Sequence, residues 1–283
     1  MIAGLAPMAG YTDYAYRELC RNRGAQLTYT EMVSAEALVR GNPRTKELLK
    51  AEKGEVTQLF GANPDSLREA SRLVNTGWTD LNAGCPAHDI TGAGSGSALL
   101  KDLDSLKECV RALKKNKSVK IRVGWKKNDA VKIAGACEDA GAQRIAVHGR
   151  TREQGYSGEA DWAAIKEVVD AVSIPVLGNG DVKSLEEGVK RCEETGCAGF
   201  LVGRAAMGNP SFFCGKENKA ADFLEYAEKQ SDFRRLKQQS LAFARGFAGA
   251  KGLRVKCVKA ESREDLTGYW EKGFFGRRGI SRF

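Results

Sequence analysis

Cys85 stands in the stretch "DLNAGCPAHDITGAGSGSALL", Asp80 to Leu100, between a short apolar run and a segment with glycines on alternate positions, Gly92, Gly94 and Gly96. A thiol with an ordinary pKa of about 8.5 is mostly protonated near neutrality, so it can serve as a general acid without a metal or a histidine partner. Lys120 and Arg122 alternate with Ile121, which puts two cations on one face of a strand. If that face looks into a protein interior it needs a reason, and a flavin supplies one, because a positive group near its N1 and O2 edge stabilises the reduced, anionic ring. His148 closes the run "RIAVHG"; it reads either as a hydrogen-bonding partner of the same ring edge or as a satisfied core histidine. The glycines of "GNGD" (Gly178 to Asp181) and of "GR" (Gly203 and Arg204) would let backbone N–H groups approach a phosphate, with Arg204 adding a charged fork. Plain turn glycine is the competing reading.

Other chemistries fit less well. The eight cysteines contain no Cys-x-x-Cys pair, and only His88 and His148 could assist them, so no metal site is expected. Six of the cysteines fall in helical or irregular stretches and read as small buried hydrophobes. "GAGSGSALL" lacks glycine at the third place of a dinucleotide-binding fingerprint and follows Cys85 rather than a strand end. It is read instead as a mobile lid that closes over substrate and excludes water.

The elements that must position these residues alternate. Eight runs have strand character: "GLAPM", "LTYTEM", "VTQLFG", "TDLNAG", "VKIRVG", "RIAVHG", "IPVLGNG" and "GFLVGR". Between most of them lie stretches of helical period, such as "DSLREASRLVNTG" and "SLEEGVKRCEETGC". A doubly wound sheet is possible, but a count of eight favours an α/β fold of the (β/α)₈ TIM-barrel class over residues 1–212. Barrel chemistry sits at the C-terminal strand ends, which collects Pro7, Met8 and Ala9, then Gln58, Asn82, Cys85, Lys120, Arg122, His148, Arg150, Asn179, Gly203 and Arg204 into one candidate site.

After "GNPSFF" the pattern becomes long, charged and helical, and Ser262 and Asp265 are spaced like a capping box. Residues 215–283 are therefore expected to form a small all-helical domain. From Ser211 onward there are 16 Lys and Arg against 9 Asp and Glu, so +7 of the formal +9 lies in this tail. A separate cationic appendage suits a polyphosphate partner such as nucleic acid, although a solvated basic face is the alternative. Neither a long apolar run nor a signal-like N-terminus is present, and a cytoplasmic protein is expected.

These motifs together resemble the tRNA-dihydrouridine synthases. The resemblance is carried by "APMAGYTD" (Ala6 to Asp13), "TEMVSA" (Thr30 to Ala35), "QLFG" (Gln58 to Gly61), "LNAGCP" (Leu81 to Pro86), "VKIRVGW" (Val119 to Trp125), "VHGRTREQGYSGEADW" (Val147 to Trp162), "PVLGNGDV" (Pro175 to Val182) and "GRAAMGNP" (Gly203 to Pro210). It implies an FMN site made by Pro7, Met8, Ala9, Gln58, Lys120, His148, Asn179, Gly180, Asp181, Gly203 and Arg204, with Asn82 and Arg150 near the uridine. It further implies that Cys85 delivers a proton to C5 of the uracil while hydride reaches C6 from the flavin. NADPH as reductant and tRNA as partner follow from the same resemblance, and a monomer without metal or membrane attachment is expected. Ala83 and Ser211 depart from the family pattern, where Met and an aromatic residue are common. The alternative is another FMN-barrel reductase or dehydrogenase acting on a small molecule, which would need no cationic appendage.

Overall fold

The computed structural model describes residues 1–114, 116–215 and 218–274. The end of the basic tail, with Arg277, Arg278 and Arg282, lies outside the described residues. Among the described residues nine strands are formed: β1 (Ile2–Leu5), β2 (Leu27–Thr28), β3 (Val33–Ser34), β4 (Val56–Phe60), β5 (Trp78–Ala83), β6 (Asn116–Gly124), β7 (Arg144–Thr151), β8 (Val176–Asn179) and β9 (Gly199–Val202). Every pairing is parallel, in the order β2-β1-β9-β8-β7-β6-β5-β4-β3. A bridge from Tyr29, just after β2, to Val56 at the start of β4 brings the two sides of that series together and closes the barrel.

The run "LTYTEM" (Leu27 to Met32) thus holds only β2, and β3 follows just beyond it, the two short strands making one stave. The ladder breaks because side chains take over its hydrogen bonds: Thr30 Oγ1 accepts from the N–H of Gln58 at 3.1 Å, and Glu31 accepts from the N–H of Gly10 at 2.5 Å. Counted as staves, the eight expected runs are all present.

Crossover helices begin where the sequence supplies caps. Asp13, Asn63, Asp102, Asp161 and Ser184 each accept from backbone N–H groups of the first turn that would otherwise lack partners. Along β7, β8 and β9 the residues Ile145, Val147, Val176, Phe200 and Val202 join the main core, whereas Ala146, Leu177 and Leu201 pack with Ala6, Leu27, Tyr29 and Val56 in a second cluster. That alternation is the strand period: one face meets the helices, the other fills the barrel interior.

Among the described residues four α-helices follow the barrel, Lys219–Lys229, Phe233–Phe243, Ala250–Lys259 and Arg263–Phe274. The expected capping box is formed, with Asp265 N–H donating to Ser262 Oγ at 3.0 Å and Ser262 N–H to Asp265 Oδ2 at 3.1 Å. Trp270 is fully buried and stacks on Phe223 with ring centroids 4.7 Å apart. These helices rest against the first barrel helix, Tyr14–Asn22, through Tyr16 edge-on to Tyr226 and Phe243. Arg23 meets Asp222 at 2.7 Å, and Tyr226 donates to Asp13 Oδ2 at 2.7 Å. Among the described residues no helix is long and apolar enough to cross a membrane, and no three His, Cys, Asp or Glu side chains gather as a metal site.

Candidate active site

A cavity of about 850 Å³ opens at the C-terminal ends of the strands, a volume in the usual range for cofactor sites of roughly 300–1,000 Å³. Its lining includes Pro7, Met8 and Ala9 after β1, Gln58 in β4, Asn82 and Cys85 at the end of β5, and Lys120 and Arg122 in β6. His148 in β7, Asn179, Gly180 and Asp181 at the end of β8, and Gly203 and Arg204 after β9 complete the ring. All of the expected site residues but one thus meet at one mouth.

The exception is Arg150. It is 2 % exposed and does not line the cavity; its guanidinium donates to Gly158 O and to Asp181 Oδ2, both at 2.6 Å. Instead of facing the cavity with a free fork, it fixes Asp181, which also accepts from Arg204 at 2.8 Å and from the N–H of Ala160 at 2.8 Å. Burial opposes the charge of Asp181, but these bonds and the two guanidiniums hold its carboxyl below the usual range. The glycine-rich segment expected as a lid is partly exposed and partly packed against the cysteine. Residues His88–Gly92 and Gly96–Lys101 form short helical turns, with Gly96 to Leu100 buried. Ser97 donates to Cys85 O from both its N–H, at 3.0 Å, and its hydroxyl, at 2.9 Å. A side chain at Gly96 would strike Cys85 O and Ile90, so the glycine-rich segment braces the cysteine from beneath.

From the other side Cys85 is held by Asn82, whose Oδ1 accepts from the N–H groups of Gly84 at 3.1 Å and Cys85 at 2.9 Å. The thiol is half-buried, and desolvation pushes its pKa above the ordinary value against the pull of the Ala87 N–H, Arg122 and Lys120. It is therefore a protonated thiol at neutral pH. Lys120 Nζ donates to Asn179 Oδ1 at 3.0 Å, and burial together with the repulsion of Arg122 lowers its pKa to about 8. His148 lies beside it, 7 % exposed; burial and the charges of Lys120, Arg122, Arg150 and Arg204 push the imidazole down to about 2, so it is neutral.

At the opposite edge the backbone prepares an anion cradle. Gly180 has φ +129° and Asp181 φ +55°, the left-handed region that turns successive N–H groups toward one side. The N–H groups of Gly180, Asp181, Gly203 and Arg204 have no protein acceptor among the described hydrogen bonds. A Cβ at Gly203 would meet Met8 Sδ at 3.7 Å and nothing else nearby. Cation, neutral imidazole and unpaired N–H groups around one slot fit a flavin mononucleotide, ring at the Lys120 side and phosphate at the glycines.

Several lining residues carried no expected role: Tyr11, Met32, Tyr156 and Arg245. Tyr156 is 61 % exposed at the rim, with the Arg204 guanidinium 4.7 Å from its ring centroid. An aromatic left in solvent inside the "TREQGYSG" block was the available signal. Arg245 comes from the C-terminal helical part and also lines a neighbouring groove with Leu241, Lys251, Arg254, Val255, Val258 and Lys259.

The family model described as dihydrouridine synthase (Dus) matches residues 4–254. A protein of Aquifex aeolicus (strain VF5), named probable tRNA-dihydrouridine synthase, is 34 % identical over 295 residues, covering 93 % of each chain. The tRNA-dihydrouridine synthase B of Pseudomonas aeruginosa is 42 % identical over 222 residues, 74 % of this chain and 67 % of that one. Among solved structures, a variant of NCR from Zymomonas mobilis superposes with TM-score 0.50 at 14 % identity, covering 75 % of this chain and 85 % of that one; it shares the fold. A barrel whose mouth gathers a thiol, a buried lysine and a phosphate cradle thus agrees with the match along the sequence, and the chain belongs to the dihydrouridine synthase family of flavin-dependent oxidoreductases that modify tRNA.

Proposed function

We propose that the protein reduces the C5–C6 double bond of particular uridines in tRNA, with Cys85 as the proton donor to C5. The observation that carries this reading is the thiol itself: kept protonated by burial, fixed through its backbone on two sides, and opening onto a cavity suited to a flavin. The flavin, when bound and reduced, supplies the hydride that reaches C6. Every other task falls to side chains of this chain. Lys120 offers its charge to the electron-rich ring edge, with neutral His148 beside it and Asn179 holding the ammonium in place. Pro7, Met8, Ala9 and Gln58 border the ring, while Gly180, Asp181, Gly203 and Arg204 take the phosphate. Asn82 orients the cysteine, and its remaining N–H, 3.5 Å from the Met32 thioether, is free to exchange that weak acceptor for a uracil carbonyl. Arg150 supports Asp181.

A uridine within folded RNA must be extruded to reach such a mouth, at a cost of a few kcal/mol in lost stacking that contacts elsewhere must offset. The four C-terminal helices, as a basic unit over residues 215–283, supply those contacts along the phosphate backbone. Arg245 supports that path because it borders both the mouth and the cationic groove beside it. NADPH is the proposed reductant of the flavin, and the working form is proposed as a cytoplasmic monomer. The test is to record the flavin spectrum of the purified protein and to measure dihydrouridine in unmodified and native tRNA with NADPH, for wild type and Cys85→Ala. Product lost in the variant with flavin retained supports the reading. Flavin without product on any tRNA returns it to a small-molecule reductase.

A further inference from the structure

Inside the barrel, one hydrogen-bonded chain runs from β5 and β6 up to the cysteine. Ser118 Oγ donates to Asp80 Oδ1 at 2.5 Å; Gln58 Nε2 donates to Asp80 Oδ2 at 2.8 Å. Asn82 Nδ2 donates to Gln58 Oε1 at 2.9 Å, and Asn82 Oδ1 accepts from Cys85 N–H at 2.9 Å. Asp80 and Gln58 are fully buried and Asn82 is 7 % exposed, so no bulk water competes along this path.

The direction of the chain is forced by its lower end. An ionised carboxylate only accepts, so Gln58 must turn its NH₂ toward Asp80 and its carbonyl toward Asn82. Asn82 must then spend its NH₂ on Gln58, which leaves its carbonyl for the loop that carries the thiol. Were Asp80 replaced by a group without acceptors, the NH₂ of Gln58 would lose its partner, and Asn82 would be held in this sense only by the N–H groups of Gly84 and Cys85. A flipped Asn82 would present NH₂ to the N–H groups of Gly84 and Cys85, and the loop would lose its anchor. Burial raises the Asp80 pKa, while the bonds from Ser118 and Gln58 and the charges of Arg144 and Lys120 act to keep the carboxylate ionised.

We propose that Asp80, which does not line the cavity, is a positioning residue for the reaction: through the amides of Gln58 and Asn82 it sets the direction in which the Gly84–Cys85 loop is held. The proposal rests on Cys85 as proton donor, but its test does not require turnover. The readout is the pH dependence of Cys85 alkylation by iodoacetamide, in a Cys214→Ser background because Cys214 is exposed whereas the other six cysteines are buried. Flavin absorbance and circular dichroism report that the variants are folded.

In Asp80→Leu the released loop exposes the thiol, so the alkylation midpoint falls toward the ordinary thiol value; kcat drops by up to about a hundredfold, the scale of a misplaced reacting group, with KM for tRNA unchanged. Asp80→Asn restores the wild-type midpoint, because its carbonyl can face Gln58 while its NH₂ faces the Ser118 hydroxyl. If the leucine variant does not fold, Gln58→Met severs the same chain one link nearer the thiol and shifts the midpoint in the same direction. An unchanged midpoint in Asp80→Leu or Gln58→Met, or an asparagine variant that behaves like leucine, overturns the proposal. A wild-type enzyme inactive on tRNA refutes the reading of function and leaves the alkylation comparison intact.

Discussion

Lys120 Nζ and Asn179 Oδ1 lie 3.0 Å apart, reaching from β6 and β8 across the stave that carries His148. Asn179 in turn donates from Nδ2 to Leu201 O in β9 at 2.7 Å, so three staves, β6, β8 and β9, fix one ammonium group. Its position is set by the barrel itself rather than by a loop. Because its pKa stands at about 8, the charge fades as pH rises through that value. The affinity of the apoprotein for FMN is expected to weaken above pH of about 8, and Lys120→Met should weaken it below that pH and remove the dependence. Fluorescence titration with FMN over pH measures both.

His148 behaves in the opposite way to a surface imidazole. With its pKa lowered to about 2, it stays neutral in the folded state while it charges on unfolding. Its ring resonances should not titrate between about pH 5 and 8, and the fold should lose stability as pH falls below about 6.5, where the unfolded chain binds the extra proton. His148→Gln is expected to flatten that acid slope in urea titrations.

Gly180→Ala tests the cradle. A Cβ there would sit 2.5 Å from Ala160 Cβ and 3.2 Å from His148 Cδ2, on a backbone at φ +129°. Strain of this kind costs about 1–3 kcal/mol, and part of it should appear as weaker FMN binding, since relief requires moving the loop that lines the cavity. Equilibrium dialysis of flavin against the variant decides it.

Gly208→Ala tests how the C-terminal helices sit. With φ +63°, a Cβ would come 2.3 Å from the backbone of Ala242 and Phe243. Helix and turn touch main chain to main chain, so no side chain can yield. Loss of about 2 kcal/mol or more in urea unfolding is expected, with the protease-sensitive sites of the variant appearing first in residues 219–274.

Charge reversal in the groove beside the mouth, Lys251→Glu with Lys259→Glu, should lower tRNA affinity about tenfold or more near physiological salt and make the decline of affinity with salt less steep. Flavin content should be unaffected, because neither side chain lines the cavity. Filter binding at several salt concentrations gives the slope.

The barrel and most of the mouth were legible in the sequence because both follow from local pattern: alternation, glycine at strand ends, polar residues just beyond them. Less legible was what each polar group spends its hydrogen bonds on. Arg150 and Asn82 stand at strand ends as expected, yet their partners, Asp181 and Gly158 for one and Gln58 and Cys85 for the other, come from other staves or from loops whose paths local pattern does not give. "GAGSGSALL" reads as flexible from its glycines, but Gly96 is glycine because Cys85 O and Ile90 leave no room. Asp80 and Glu31 were the visible clues left unread, each an acid inside a run of strand character.

Glu31 joins two parts of the molecule that would otherwise be separable. One carboxylate oxygen holds the N–H of Gly10, in the loop that begins with Pro7, Met8 and Ala9; the other holds Arg235, on the helix Phe233–Phe243, at 2.5 Å. Gln239 of the same helix donates to Tyr11 O at 2.6 Å, tightening the attachment. The helical part is therefore a poor candidate for modular exchange. Trimming it away, or grafting it from a relative with a different RNA target, disturbs the floor of the cofactor cavity, so a chimera of this kind must carry its own Gly10–Glu31–Arg235 set to keep its colour.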